Sequence, residues 1–345
     1  MTAYASTCDI AAIAARLRGA NTVAILSHSR PDGDAAGSIL ALARALRVLG
    51  KRVDAVFTGA VDPNILALAD AGEARLDTAA PLDPATDVIV VVDTGAFSQL
   101  EPLDGIVRQL SARVVGIDHH ARGDAVAPDR VVDTSAAATT QIIARLIDEL
   151  GVDLRRTAPN GTRTIAEALF VGLATDTGWF RFQSADAAVF ALASRLLEAG
   201  VDRIALYQSL EENARPARLA ATATALASLR SLCGGRVATM ALSHADFLAT
   251  KATSDDATGV VNIPLEVGVI AMSALMTESQ PGITKVSFRS KPRTDGRPWV
   301  NVSDFAAQFG GGGHALAAGA RVKVALPEAR AQIEAAIEAI KGLAP

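Results

Sequence analysis

The sequence predicts an α/β protein: an N-terminal domain with a parallel sheet, joined by a helical connector to a smaller α/β domain. Three observations carry that expectation. Apolar runs of strand length alternate with helical stretches through the first half of the chain, the pattern of a parallel sheet covered on both faces. The middle is alanine-rich and helical, and after Gly235 the texture changes to short strand-like runs. At 345 residues the chain is long for one core and comfortable for two. The expected divisions are 1–195, a connector at 196–232, and 233–345.

Residues 9–19 read as a short amphipathic helix. TVAILS (22–27) is an apolar run bounded by polar residues, as a buried strand is. A helix is expected from about Ala36 to Leu49, stopped by Gly50, with Gly33 and Gly37 letting the backbone turn tightly where it begins. RVDAVFT (52–58), DVIVVVDT (87–94) and ARVVGIDHH (112–120) are the next strands. TSAAATTQIIARLIDEL (134–150) reads as a helix with a Thr or Ser cap, and TIAEALFVGLATDTGWF (164–180) as a helix-like segment carrying Asp176 near its end. EENARPARLAA (211–221) marks the connector. RVATMAL (236–242), ITKVSFRS (283–290) and PWVNVSD (298–304) read as strands, with helices expected between 254 and 276 and over 326–342.

Half the residues are hydrophobic and 20% are charged, an ordinary globular balance. Aromatics make up only 4%, so Ala, Val, Leu and Ile must build the core. The formal net charge of -4 argues against a basic field that grips long duplex nucleic acid. Cys8 and Cys233 form no CxxC, which speaks against a disulfide framework or zinc knuckle and fits a reducing cytoplasm. The N-terminus lacks a basic stretch followed by a long apolar core, so no secretion signal is expected. No apolar run reaches the ~18 residues of a membrane span, so no membrane partner is expected.

Three strands end in acids or histidines: His28 with Asp32 and Asp34, then Asp93, then Asp118 with His119 and His120. In open α/β sheets, ligands bind beyond the carboxyl ends of the strands, so three such ends can meet at one crevice. Carboxylates gathered there repel one another unless a cation holds them or one stays protonated. Hard oxygens mixed with imidazole suit Mn²⁺, Mg²⁺ or a related divalent ion. Two such ions need a bridging carboxylate, and Asp93, alone at its strand end, is the natural candidate. PDGD alone is a turn sequence and DTG a plausible cap; adjacent histidines are harder to dismiss, because a strand sends them to opposite faces. His244 stands outside these clusters and reads as a surface or cap residue.

The ordered set HSRPDGDAAGS, VVVDTG, GIDHH and GLATDTGWF, followed by FGGGGHALAAGA (309–320), resembles the DHH phosphoesterases that carry a DHHA1 C-terminal domain. Within them it is most similar to the short two-domain nanoRNases, or oligoribonuclease/pAp phosphatases. The resemblance covers residues 20–340. It implies that His28 and Asp32 bind one metal, that Asp34, His119 and Asp176 bind a second, and that Asp93 bridges both. Two divalent cations, Mn²⁺ foremost with Mg²⁺ or Co²⁺ as alternatives, are the implied cofactors. His120 would lie beside the scissile phosphate, with Asp118 orienting a histidine. The stretch DHHARGD departs from relatives that carry a small polar residue and an asparagine there; Arg122 would instead approach the substrate phosphate.

The glycine run can cradle an anion through exposed N–H groups, especially at a helix N-terminus. By resemblance, Gly311, Gly312, Gly313 and His314 bind substrate across an interdomain cleft. Arg289 matches a family arginine that anchors nucleotide, and its fork suits phosphate. The three aromatics of GWFRF (178–182) are expected in the core rather than under a base. The implied activity is hydrolysis of short oligoribonucleotides to mononucleotides and of pAp to AMP, by a homodimer. The alternatives are a cyclic-dinucleotide phosphodiesterase and a non-catalytic nucleotide sensor. Long-strand relatives carry extra nucleic-acid-binding domains, and inorganic pyrophosphatases have a different second domain without the GGGGH run; neither fits this chain.

Overall fold

A computed structural model describes residues 4–59, 61–76, 82–340 and 343. The chain divides into two compact units, Met1–Asn213 and Ala214–Pro345. In the first, strands β1 (Thr22–Leu26), β2 (Arg52–Val56), β3 (Val88–Val92), β4 (Val114–Asp118) and β5 (Asp129–Val132) form one sheet. Its helices are α1 (Ile10–Gly19), α2 (Gly33–Val48), α3 (Pro63–Leu66), α4 (Asp104–Gln109), α5 (Thr139–Leu150), α6 (Ile165–Asp176), α7 (Ala187–Glu198) and α8 (Arg203–Glu211). The strand order is β2-β1-β3-β4-β5, and every neighbouring pair is parallel.

Continuous aliphatic strands fit this sheet because both faces are covered. Val88, Val90 and Val92 join one apolar cluster with α2, α5 and α6, while Ile89 and Val91 join another with Leu100, Leu103 and Val107. Burying each such side chain contributes ~1.5–3 kcal/mol. The order reverses between β1 and β3, which makes their carboxyl ends the sheet's natural ligand site. β5 was not anticipated from sequence: DRVV is short, charged and at the sheet edge.

Two local expectations are corrected. Gly33 and Gly37 lie inside α2, with helical backbone rather than a tight turn at either. What they provide is absence of a side chain: a Cβ on Gly37 would come 2.5 Å from Ala168 O and 2.9 Å from Gly172 N of α6. Close approach of α2 and α6 therefore depends on Gly37 and Gly172. Nor does a Thr or Ser side chain cap α5, whose N-cap is Ala138. The first-turn N–H groups of Thr139 and Thr140 donate instead to Asp34, at 2.6 and 3.0 Å. At α6, Thr164 and Glu167 form a capping box.

The second unit contains α9 (Pro216–Ala227), β6 (Arg230–Leu232), β7 (Val237–Leu242), α10 (His244–Thr250), β8 (Met272–Gln280), β9 (Ile283–Ser290), α11 (Val302–Ala307), β10 (Gly312–Gly313), β11 (Ala317–Val322) and α12 (Leu326–Glu338). Helices α7, α8 and α9 form the helical linker between the two sheets in sequence. The second sheet is mixed, in the order β10-β11-β9-β8-β7-β6, with only β7 and β8 parallel. One face packs on α11 and α12 through Phe288, Phe305 and Ile333; the other packs on α9 and α10 through Met240, Leu275 and Phe247.

Here too the sequence reading needs correction. The expected strand over 298–304 gives way to α11, because Asn301 accepts from the N–H groups of Ser303 and Asp304 and starts a helix. The helices expected between 254 and 276 reduce to a 3₁₀ segment, Val260–Glu266, which contains Pro264, and then β8 begins at Met272. β8 is rich in Ala, Leu and Met, so helix propensity misleads; its place between two strands decides.

Candidate metal centre

Each predicted ligand stands where an element ends. His28 follows β1, and Asp32 is the N-cap of α2, its Oδ1 accepting from Asp34 N and Ala35 N at 3.0 Å each. Asp34 is in the first turn of α2, Asp93 follows β3, His119 and His120 follow β4, and Asp176 ends α6. Asp93 has a φ of 58°, a left-handed conformation uncommon for a non-glycine residue and typical of constrained sites.

The fold brings these side chains together. His28 Nε2 lies 3.5 Å from Asp93 Oδ2 and 4.0 Å from Asp32 Oδ1. His119 Nε2 lies 3.6 Å from Asp93 Oδ1 and 3.5 Å from Asp176 Oδ2. One atom each from His28, Asp32 and Asp93 falls within 4.8 Å of the others, and so for Asp34, His119 and Asp176. Asp93 thus turns one oxygen towards each set. Contrary to the expectation of opposite faces, both histidines face Asp93: the strand stops at Asp118, and their rings pack edge to face with centroids 4.5 Å apart.

Several hydrogen bonds fix this arrangement. His119 Nδ1 is 3.2 Å from Ala136 O, so that nitrogen donates and Nε2 is left as the acceptor facing the carboxylates. Thr139 Oγ1 donates to Asp93 Oδ1 at 2.9 Å. Asp118 Oδ1 lies 2.7 Å from His120 Nδ1, which orients that ring. Tyr4 donates to the other oxygen, Asp118 Oδ2, at 2.8 Å. A Cβ at Gly123 would lie 2.7 Å from the Tyr4 ring, so the DHHARGD departure opens the space through which Tyr4 reaches Asp118. Tyr4, Thr139 and Thr140 were not singled out from sequence; none carries a local signature, because their partners are more than 40 residues away.

The electrostatics fit a cation. Burial, then repulsion from Asp34 and Asp32, pushes the Asp93 carboxyl well above its usual range. Burial also raises Asp34, and burial together with Asp34 raises Asp176 to about 6. Burial lowers His28, which favours the neutral ring that binds metals. Asp118 goes the other way: burial would raise it, but the bonds from His120 and Tyr4 outweigh that and hold it below the usual carboxylate value. Two buried acids, Asp34 and Asp93, and the partly buried Asp176, crowded so that their ionisation is opposed and flanked by two imidazoles, form a donor set suited to divalent cations.

In the second unit, Arg289 is half-buried on β9, opposite Ala317 of β11 and Ser273 of β8. Its Nη1 donates to Phe288 O at 2.9 Å, and burial lowers its guanidinium below the usual value. The glycine run precedes no helix, which corrects that part of the expectation. Gly312 and Gly313 form the short β10, paired with Gly319 and Ala318, and His314 closes an exposed turn to Ala317. Gly311 and Gly313 leave no room for a Cβ, which would lie 2.2 Å from Gly319 O and 2.6 Å from Ala317 O respectively. Gly312 opens to space. Arg122 is exposed in the loop after β4. Trp179 and Phe180 pack against the core, whereas Phe182 is exposed. The Ser273 hydroxyl is buried with no hydrogen-bond partner among the described residues. None of the described helices is long and apolar enough to cross a membrane.

Residues 22–173 match the DHH family, N-terminal domain, and residues 234–343 match the DHHA1 domain. The chain is 32% identical to the bifunctional oligoribonuclease and PAP phosphatase NrnA of Thermus thermophilus, over 87% of this chain and 83% of that protein. It is 25% identical to the protein of the same description from Bacillus subtilis, over 88% and 90%. Among solved structures, an exopolyphosphatase-related protein from Bacteroides fragilis superposes with a TM-score of 0.84 at 25% identity, covering 95% of both chains. With its motifs in order and its length matched by these relatives, the chain belongs to the DHH/DHHA1 phosphoesterases.

Proposed function

We propose that this protein is a metal-dependent phosphoesterase that hydrolyses short oligoribonucleotides to mononucleotides and pAp to AMP. The observation that carries the reading is Asp93, whose two oxygens face two separate histidine–aspartate sets. Its kinship with the NrnA proteins supplies the substrate class.

His28 and Asp32 would hold one divalent cation, Asp34, His119 and Asp176 a second, and Asp93 both. Such a pair, when bound, brings the pKa of water towards neutrality and offsets phosphate charge. The protein's own part is positioning. Each Asp34 oxygen accepts one N–H from α5 and keeps a lone pair for a cation. Asp118 fixes His120 through Nδ1, leaving Nε2 free to orient the phosphate or protonate the leaving oxygen. Arg289 and the N–H groups of Gly311, Gly312 and Gly313, with His314, would anchor the substrate phosphate, and Arg122 would approach it from the loop after β4.

The deciding experiment is turnover of pApA and pAp with Mn²⁺ and with EDTA. Mn²⁺-dependent release of AMP from pApA, with AMP and phosphate from pAp, supports the reading. Metal binding without turnover of either substrate overturns it in favour of another phosphoesterase substrate or a sensor.

A further inference from the structure

Asp176 is the least supported acid of the metal centre. Asp32 and Asp34 each accept two backbone N–H groups, and Asp93 accepts from Thr139 Oγ1. Among the described residues, no hydrogen bond reaches the Asp176 carboxylate, which meets His119 Nε2 at 3.5 Å. Packing does not fix it either: its side chain is 32% exposed, whereas Asp34 and Asp93 are buried. Its direction is therefore set by the backbone at the end of α6 and by the turn that follows.

That turn is unusual. Gly178, Trp179 and Phe180 stand one after another in the left-handed region, with φ of 58°, 56° and 65°. Glycine adopts this conformation freely; bulky side chains rarely do, and need neighbours that hold them there. The turn closes on the last turn of α6, where Gly178 N donates to Thr175 O at 3.0 Å and Trp179 N to Ala174 O at 2.5 Å. The buried Thr177 ties both sides together: its Oγ1 donates to Leu173 O at 2.6 Å and accepts from Phe180 N at 3.2 Å.

The two aromatic side chains are held by other helices. Phe180 packs on Phe170 of α6 and Phe190 of α7, with ring centroids 5.7 Å apart in each case. Trp179 meets Tyr207 of α8 edge to face at 4.8 Å, and its indole N–H donates to Glu211 Oε1 at 2.8 Å. Glu211 is the last residue of α8, and the end of that helix is fastened in turn to α3. Asn64 Nδ2 donates to Leu210 O at 3.5 Å, and Asn213 Nδ2 donates to Asn64 Oδ1 at 3.3 Å. A chain of contacts thus runs from α3 and α8 through Trp179 to the helix end that carries Asp176. A turn that served the backbone alone would form more easily with glycine at position 179.

We infer that Trp179 is a positioning residue for Asp176, and that α8, through Tyr207 and Glu211, sets the affinity of the second cation's site. The inference rests on the metal-dependent reading above and involves residues of the first unit alone. Trp179 acts only through the last turn of α6, keeping Asp176 directed at His119. His28 and Asp32 lie on other elements, so the first cation's site does not depend on it.

The test is Mn²⁺ titration of the full chain by calorimetry, with turnover of pApA alongside. Glu211 is exposed, so Glu211→Ala deletes the bond without disturbing a core. It should weaken the second Mn²⁺ about fivefold, the size of one net hydrogen bond expressed as coupling, and leave the first as in the wild type. Turnover at limiting Mn²⁺ should fall and should recover in excess Mn²⁺, with KM for pApA unchanged. Glu211→Gln still accepts from the indole and should bind both ions as the wild type does. Trp179→Phe keeps a ring but has no donor, so it should match Glu211→Ala, and the double variant should be no worse than either. Unchanged affinities in Glu211→Ala, equal weakening at both sites, a loss that Glu211→Gln shares, or effects that add in the double variant each overturn the positioning role. If the wild type takes up no Mn²⁺, the metal-dependent reading fails and the inference falls with it. If it takes up two ions and turns over neither pApA nor pAp, the substrate assignment fails separately and the titration still decides.

Discussion

The Tyr4 hydroxyl and the Asp118 carboxylate meet at 2.8 Å, and the other oxygen of that carboxylate lies 2.7 Å from His120 Nδ1. The contact joins a residue ahead of α1 to the end of β4, and it closes a chain from Tyr4 through Asp118 to an imidazole at the metal centre. Gly95 and Gly123 shape the slot, since a Cβ on either would lie 2.1 or 2.7 Å from Tyr4. Tyr4→Phe keeps the ring and deletes the hydrogen bond. It should lower kcat about tenfold, the low end for loss of such a supporting bond, with KM and Mn²⁺ affinity unchanged. A parallel fall in Mn²⁺ affinity would assign Tyr4 to the stability of the centre instead.

Asp93→Asn should abolish turnover, because an amide offers one oxygen where the site uses two. Its thermal behaviour is a sharper check. Without metal, Asp93 is a buried carboxyl crowded by Asp34 and Asp32, so neutralising it relieves repulsion. In EDTA the variant should melt above the wild type; with saturating Mn²⁺ the order should reverse, because only the wild type gains full binding energy. A lower melting temperature in both conditions would mean that Asp93 is structural.

Much of this centre was legible in the sequence because parallel strands announce themselves. VIVVV and VVGID are wholly buried, and polar residues begin at or just past their last paired positions, Val92 and Asp118. Asp93 and His119 could thus be placed at strand ends, whereas their mutual distances could not. What the sequence hid depends on partners far along the chain. Asp34 serves as the cap of α5, Tyr4 as the support of Asp118, and Gly37 as a contact with α6 rather than a turn. The second unit was less legible: β8 reads as helix by composition, and Asn301 turns an alternating stretch into α11.

The α2–α6 contact carries Asp34 on one helix and Asp176 on the other. Gly37→Ala would push a methyl against Ala168 O, and backbone cannot yield as a side chain does. A cost of ~1–3 kcal/mol in unfolding free energy is expected. Separation of the helices should also weaken the second cation's site, so Mn²⁺ titration should show one tight and one loosened site. Two unchanged sites would show that the helices part elsewhere.

Glu334 fastens α12 to the second sheet, accepting from Thr239 Oγ1 and Arg330 Nε at 2.7 Å each and from Arg230 Nη1 at 3.0 Å. Burial alone would raise its carboxyl, but these donors outweigh burial and hold it below 4.5. A depressed folded value means that the stabilisation is present above the unfolded pKa and is lost as pH falls through the folded one. Glu334→Gln should therefore lower the urea midpoint at pH 7, and the two proteins should converge as the pH falls through the depressed folded value. A constant gap across that range would show that the pairing, not the charge, is what matters.

Arg44 is the largest fully buried side chain of the first unit, and Glu73 answers it. Its Nε and Nη2 donate to the two Glu73 oxygens at 2.7 and 2.9 Å, and its remaining donors reach Thr164 O and Leu68 O at 2.8 Å each. Thr164 is the N-cap of α6, so the pair ties α2 to the start of the helix that ends in Asp176. Glu73→Ala leaves a buried guanidinium without its counter-charge and should cost ~3–5 kcal/mol. An Arg44→Met, Glu73→Met double variant removes both charges and fills much of the volume, so it should recover most of that loss. Buried charge pairs stabilise little over apolar replacements but are costly to break on one side. If the double variant is as unstable as Glu73→Ala, the bonds from Arg44 to Thr164 and Leu68 carry the stability, not the ion pair.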